Sequence, residues 1–399
     1  MSIQELKLCF GKAVSTVMLT TVIAACGSDT PLPAAGDVVS ATDLSLPDVT
    51  AAASKQLITY RMPGVSGGLV EATAVVLIPA GTPPAGGWPV VGWGHGTTGV
   101  ADACAPSALL DLATYDTYLN AFVQGQFAVV AADYEGLGTP GTHPYLHLDS
   151  EGRSMLHAIK AASLQYPSLS SRYALLGHSQ GGHAAIGAAE LATAGEVSGL
   201  SLVGVVALAP ASQIRTQGAF LASVANNPAA NLLDRVPAAI GRIGFTSLIL
   251  AGIEAVDASF DDATGYGPDG GFIPDLVAQQ CLSGISASLS SPIQDALFAD
   301  NNIEAILPNA TESLPAVSSY LEMLEPGLRP ITGPVLILQG DADTTVFPSS
   351  TQSLVNLMAN QGNSVSLEVS PGEDHSTIVE STLIRALEFI RDQFANSAQ

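Results

Sequence analysis

Short apolar runs alternate with segments of helical period along most of the chain. Gln56–Met62, Leu69–Ile78, Pro89–Trp93, Phe127–Ala132, Tyr173–Leu176, Leu200–Leu208, Val335–Gln339 and Ser364–Val369 read as strands. Several, such as FAVVAA at 127–132, are apolar throughout rather than at every second position, the mark of strands covered on both faces. Thr114–Gln124, Ser150–Ser163, Ser179–Ala194 and a closing segment from Thr377 to about Phe394 read as helices. In the last, Val379, Leu383, Leu387, Ile390 and Phe394 form one stripe, as on a helix lying on a sheet. Buried strands alternating with helices predict an α/β fold with a mostly parallel twisted sheet of about eight strands, flanked by helices.

The alternation breaks between residues 212 and 329. That stretch holds the helix-like AIGRIGFTSLILAGIEAV (Ala239–Val256) and the loop-like DDATGYGPDGGFIPD (Asp261–Asp275). It reads as a mainly helical cap inserted into a core made of residues 55–211 and 330–399. Residues 26–54, rich in Pro, Ala, Ser and Asp, read as a flexible tether.

Composition narrows the partners. The chain has 399 residues, 47% of them hydrophobic, enough for a large core. Against 13 basic residues stand 36 acidic ones, a formal charge of −23, which repels phosphate backbones and argues against nucleic acid. The acidic, lysine-poor surface favours solubility and would suit salty surroundings. At the N-terminus, Lys7 and Lys12 precede the apolar run Ala13–Ala25, too short to cross a bilayer comfortably, which is a signal-peptide pattern over residues 1–25. The run ends Ile23-Ala24-Ala25-Cys26, which resembles a bacterial lipobox. That resemblance implies acylation of Cys26 and attachment to the outer membrane or cell surface; the alternative is an ordinary signal peptide. Cys104 and Cys281 then remain in the mature body, and in an exported protein the simplest expectation is one disulfide. Two buried free thiols are the alternative. No Cys-x-x-Cys or His-x-x-x-His accompanies them, so no metal site is expected.

Gly177-His178-Ser179-Gln180-Gly181 stands between a strand and a helix, the setting that a G-x-S-x-G nucleophile elbow requires. A serine needs a base to take its proton and an acid to orient that base. Of seven histidines, only His375, in PGEDHST after the last strand, lies downstream where the base belongs. For the acid, GDADTTV at 340–346 offers Asp341 and Asp343, and Asp343 is favoured, with Asp341 bracing the loop. Oxyanion donors are expected from the backbone amides of Gln180 and of Thr97, in GHGTTG, with Thr98 as the near alternative. The other histidines read as structural: His178 at the elbow, His183 on the following helix, His157 on a helix surface. His143 and His147 lie in a loop that could border the pocket.

With these pieces placed, the chain resembles the α/β-hydrolase superfamily over about residues 55–395. More narrowly it is similar to the secretory lipases of the yeast lipase A type and their bacterial relatives. DYEGLG at 133–138, GHSQGGHA at 177–184, the long insertion before GDADTTV, and DHS at 374–376 carry the likeness. It implies a cofactor-independent serine esterase or lipase whose cap forms an acyl tunnel, and it fits a Cys104–Cys281 bridge. A peptidase, acyltransferase or polyester hydrolase on the same residues is the alternative.

Overall fold

The computed structural model describes residues 33–109 and 112–397. The signal segment and Cys26 lie outside the described residues.

In chain order the elements are β1 (Val38–Asp43), β2 (Ala52–Pro63), β3 (Leu69–Pro79), β4 (Trp88–Gly94), α1 (Asp116–Gln124), β5 (Ala128–Ala132), α2 (Leu148–Gln165), β6 (Leu169–His178), α3 (Gln180–Ala194) and β7 (Ser201–Leu208). A helical stretch follows: α4 (Ile214–Ala225), α5 (Leu232–Val256), α6 (Ile273–Gln279), α7 (Leu282–Ala299) and α8 (Pro315–Glu322). The chain then closes with β8 (Val335–Gly340), α9 (Pro348–Asn360), β9 (Val365–Ser370), α10 (Thr377–Ser381) and α11 (Leu383–Asn396).

The strands make one sheet in the order β1-β2-β3-β5-β4-β6-β7-β8-β9. β1, β2, β3 and β5 pair antiparallel, and from β5 onward every pairing is parallel. Alternate residues of the central strands serve opposite faces. Val90, Leu175, Val205 and Ile337 pack with Ile159 of α2, Ala184 and Ile186 of α3 and Met358 of α9. Val91, Leu176, Val206 and Leu336 pack with Phe122 of α1 and Ile390 and Phe394 of α11. All the parallel strands end at one edge, so the loops after β4, β6, β8 and β9 gather there.

Four expectations need correction. Part of the expected tether is a strand: β1 pairs with β2, Val38 opposite Tyr60 and Asp43 opposite Gln56, giving nine strands. Its polar sequence VVSATD suits an edge strand with one open side, which periodicity alone cannot tell from a linker. The closing helix is not continuous; it breaks at Thr382, whose hydroxyl bonds back to the Ile378 carbonyl. His157 is buried rather than on a surface, with Nε2 3.3 Å from Glu196 Oε1. In the insertion, α5 begins seven residues earlier than its apolar pattern suggests, capped by the Asn231 side chain.

Candidate active site

The corner between β6 and α3 is set by glycine. A Cβ on Gly177 would lie 2.0 Å from the Gly181 carbonyl oxygen, and one on Gly181 would lie 1.8 Å from the Gly94 oxygen. No side chain fits at either place, so the strand can turn into the helix within one residue. That residue is Ser179, held at φ 58° and ψ −117°. An L-residue rarely adopts this conformation, and it costs on the order of 1–3 kcal/mol, supplied by the surrounding packing. The turn lifts the serine above the sheet edge.

His375 reaches Ser179 from the loop after β9. Its Nε2 is 2.9 Å from Ser179 Oγ and accepts that hydroxyl's proton in the hydrogen bond. Its Nδ1 donates to Asp343 Oδ2 at 2.7 Å. Asp343 is buried, and Oδ1 accepts from the amides of Thr345 and Val346 at 2.8 and 2.9 Å. Burial pushes its pKa up, but the His375 imidazole and the two amides outweigh burial and hold it below the usual carboxylate value. Asp341 instead accepts from the Gly372 amide, tying the β8 loop to the β9 loop. A Cβ on Gly340 would lie 2.1 Å from the Glu373 oxygen, so glycine is what lets these loops touch.

Thr97 and Ser179 line the same cavity. Among the described residues, neither the Thr97 nor the Gln180 amide donates to a protein acceptor. Both are open donors, and the Gln180 amide opens a helix. Thr97 Oγ1 bonds Tyr145 OH at 2.8 Å. The cavity is walled by Ala211, Ile214, Leu221, Phe245, Ile249, Val317 and Leu321, largely from the insertion.

His178 and His183 read as structural in the sequence, but the partners that give them that role were not legible there. Tyr115 donates to His178 Nδ1 at 2.7 Å, and His178 Nε2 donates to the His375 carbonyl at 2.8 Å. Burial, helped by His375, lowers the His178 pKa to about 3, so it remains a neutral donor fixing the His375 loop. For His183 that partner is Glu151, fully buried in the first turn of α2. It accepts from the Leu146 amide (2.8 Å), Gln180 Nε2 (2.7 Å) and His183 Nδ1 (2.8 Å). His183 Nε2 donates to the Leu324 carbonyl at 2.8 Å, so both ring nitrogens are donors and the ring is an imidazolium. Burial would lower the His183 pKa, but the Glu151 carboxylate raises it above its ordinary value. This pair anchors the Gln180 side chain directly after the serine. The only sequence hint was an acidic residue at a helix start. His143 and His147 do not line the cavity; their neighbours Tyr145 and Leu146 do.

Cys104 and Cys281 form a disulfide with Cα atoms 5.4 Å apart, joining the loop after β4 to the start of α7. The Leu282 amide donates to the Thr98 carbonyl at 2.8 Å beside it. No group of three or more potential metal ligands occurs among the described residues.

The fold is that of an α/β hydrolase, with Ser, His and Asp meeting at the edge where that fold carries its chemistry. The chain resembles the secretory lipases: the model of the secretory lipase family matches residues 108–240, and the model of the prolyl oligopeptidase family matches residues 293–398. Among solved structures it is similar to lipase A of Candida antarctica (18% identity, TM-score 0.72, 91% of this chain and 83% of that one). It is also similar to the rice cell wall degrading esterase LipA of Xanthomonas oryzae (22%, TM-score 0.70, 92% and 100%). A third is a putative hydrolase of Legionella pneumophila (16%, TM-score 0.70, 89% and 98%). No curated protein sequence matches.

Proposed function

We propose that Ser179 attacks the carbonyl of a carboxylic ester, with His375 as general base and Asp343 orienting and stabilising the imidazolium. The chain is a serine hydrolase of carboxylic esters. The amides of Thr97 and Gln180 hold the oxyanion, each such donor worth about 3–4 kcal/mol of transition-state stabilisation. His375 then returns its proton to the leaving alcohol, and water releases the acyl group by the same steps in reverse. The insertion acts as a cap whose apolar wall receives the acyl group, and no cofactor takes part. The observation that carries the reading is the unbroken hydrogen-bond chain Asp343–His375–Ser179 opening on that cavity.

The protein is exported. Acylation at Cys26 would anchor it to the outer membrane or cell surface, supported by the lipobox-like Ile23-Ala24-Ala25-Cys26. The match of residues 293–398 to the prolyl oligopeptidase model favours a second reading, an amide-cleaving enzyme on the same residues. The test is a panel of p-nitrophenyl esters of rising acyl length beside an aminoacyl amide, with fluorophosphonate labelling. Wild type should cleave the esters and label; Ser179→Ala should lose about 10³–10⁶-fold in kcat and not label. Ester turnover surviving Ser179→Ala rejects the scheme, and faster amide than ester cleavage selects the second reading.

A further inference from the structure

The cavity beside Ser179 is apolar over most of its wall, yet one part of that wall is an ion pair. Arg242 Nη1 on α5 meets Glu312 Oε1, just before α8, at 2.7 Å, and both residues line the cavity. The Arg242 side chain is 3% exposed. Nη1 also donates to Thr246 Oγ1 at 2.7 Å, and among the described residues Nε and Nη2 donate to no protein acceptor. Gly218 keeps the space clear: a methyl there would sit 2.7 Å from Glu312 Oε1 and 3.4 Å from Arg242 Nη1.

The pair shares the cavity with Thr97 and Ser179. A Cβ on Gly252 of α5 would come within 2.8 Å of the Tyr145 amide nitrogen, and the Tyr145 hydroxyl bonds Thr97. Ile249 of α5 lines the cavity as well. Arg242 is two helical turns before Ile249, about 10 Å along the axis, so the cavity runs along α5. An apolar acyl chain reaching that point would strip water from charged groups and return no hydrogen bond. An acyl carboxylate would face Glu312, and an acyl ammonium would face Arg242. A neutral hydroxyl or ester oxygen accepts from Arg242, and a hydroxyl also donates to Glu312.

Resting on the Ser179 reading above, we propose that Arg242 and Glu312 form a subsite for an uncharged oxygen function on the acyl group. The preferred substrates are then esters of hydroxy acids and their oligomers rather than of plain fatty acids.

The experiment compares kcat/KM for p-nitrophenyl omega-hydroxyalkanoates with the matching alkanoates, from butanoate to decanoate, as a ratio within each enzyme. Wild type should favour the hydroxylated ester at one length, by on the order of tenfold. In the double variant Arg242→Met, Glu312→Leu the ratio should fall to one or below. Replacing a buried pair by apolar side chains is often neutral for stability. Glu312→Gln, which keeps the size, is the second variant and should lower the ratio part of the way. A wild-type ratio near one at every length, while short esters are still cleaved, overturns the subsite alone. So does an unchanged ratio in both variants. Loss of all ester cleavage and of Ser179 labelling in wild type overturns instead the reading on which it rests.

Discussion

At Gly177 and Gly181 an added methyl would land 2.0 and 1.8 Å from backbone oxygens. At Gly241 and Gly244, in the helical insertion, it would meet only leucine methyls at 3.6 and 4.0 Å. The elbow is backbone packed on backbone, where nothing can give way. At Gly241 and Gly244 helices pack through side chains, and there a methyl is an ordinary contact. Polar groups divide less cleanly, since the insertion also buries Arg235 and Arg242. Around the elbow, Glu151, Gln180, His183 and His178 are buried and tied by short hydrogen bonds to fixed carbonyls and amides. The insertion core, from Ile243 and Leu250 to Ile293 and Leu324, is mostly aliphatic, and a shape defined by aliphatic contacts tolerates substitution of similar volume. One region fixes chemical geometry to fractions of an ångström; the other sets what fills the cavity.

The sharpest break of this comparison is Gly181→Ala. With its methyl on the Gly94 oxygen, β4 and the elbow must separate, and we expect a loss above about 4 kcal/mol, read as absence of a cooperative melt. A folded variant with the wild-type midpoint would show that the close approach is not required. Next is the disulfide that ties the insertion to the loop after β4. Replacing Cys104 and Cys281 together by serine should cost roughly 4–5 kcal/mol by the loop-closure argument, seen as a lower Tm of the oxidised protein. A shift of under a degree would mean that packing alone holds the insertion.

The Glu151–His183 pair predicts a pH signature. For Glu151, burial pushes the pKa up from its ordinary 4.5, but the imidazoles of His143 and His183 outweigh burial and hold it below. Its stabilisation is therefore complete above 4.5 and lost as pH falls through the depressed value. His183 is held above its ordinary 6.5, so its contribution is complete below 6.5 and lost as pH rises through the raised value. The pair contributes most between 4.5 and 6.5. Glu151→Gln should cost about 3–5 kcal/mol there, and less at alkaline pH, in denaturant melts. An equal cost at both pH values would sink the ion-pair assignment. The smallest effect expected is Gly244→Ala, which should raise stability by up to about 1 kcal/mol through helix propensity. A destabilisation there would show that the insertion is packed as tightly as the elbow.

The strands and most helices were legible because burial on both faces leaves uninterrupted apolar runs, as in Phe127–Ala132 and Leu200–Leu208. β1 was hidden, since an edge strand with one wet side carries no such run. Ser179, His375 and the preference for Asp343 over Asp341 could be read from order and spacing, because a nucleophile elbow demands glycines at fixed offsets and the base follows the last strand. Glu151, His178 and the Arg242–Glu312 pair could not. Each is an ordinary charged or polar residue in sequence, and its meaning comes from partners that lie between 29 and 197 residues away. Sequence by itself determined what is local: which segments bury, where the chain must turn, and which side chain sits on the corner. Only the tertiary structure decided which distant groups share a low-dielectric interior, and there a hydrogen bond or a charge is strong enough to set protonation and aim.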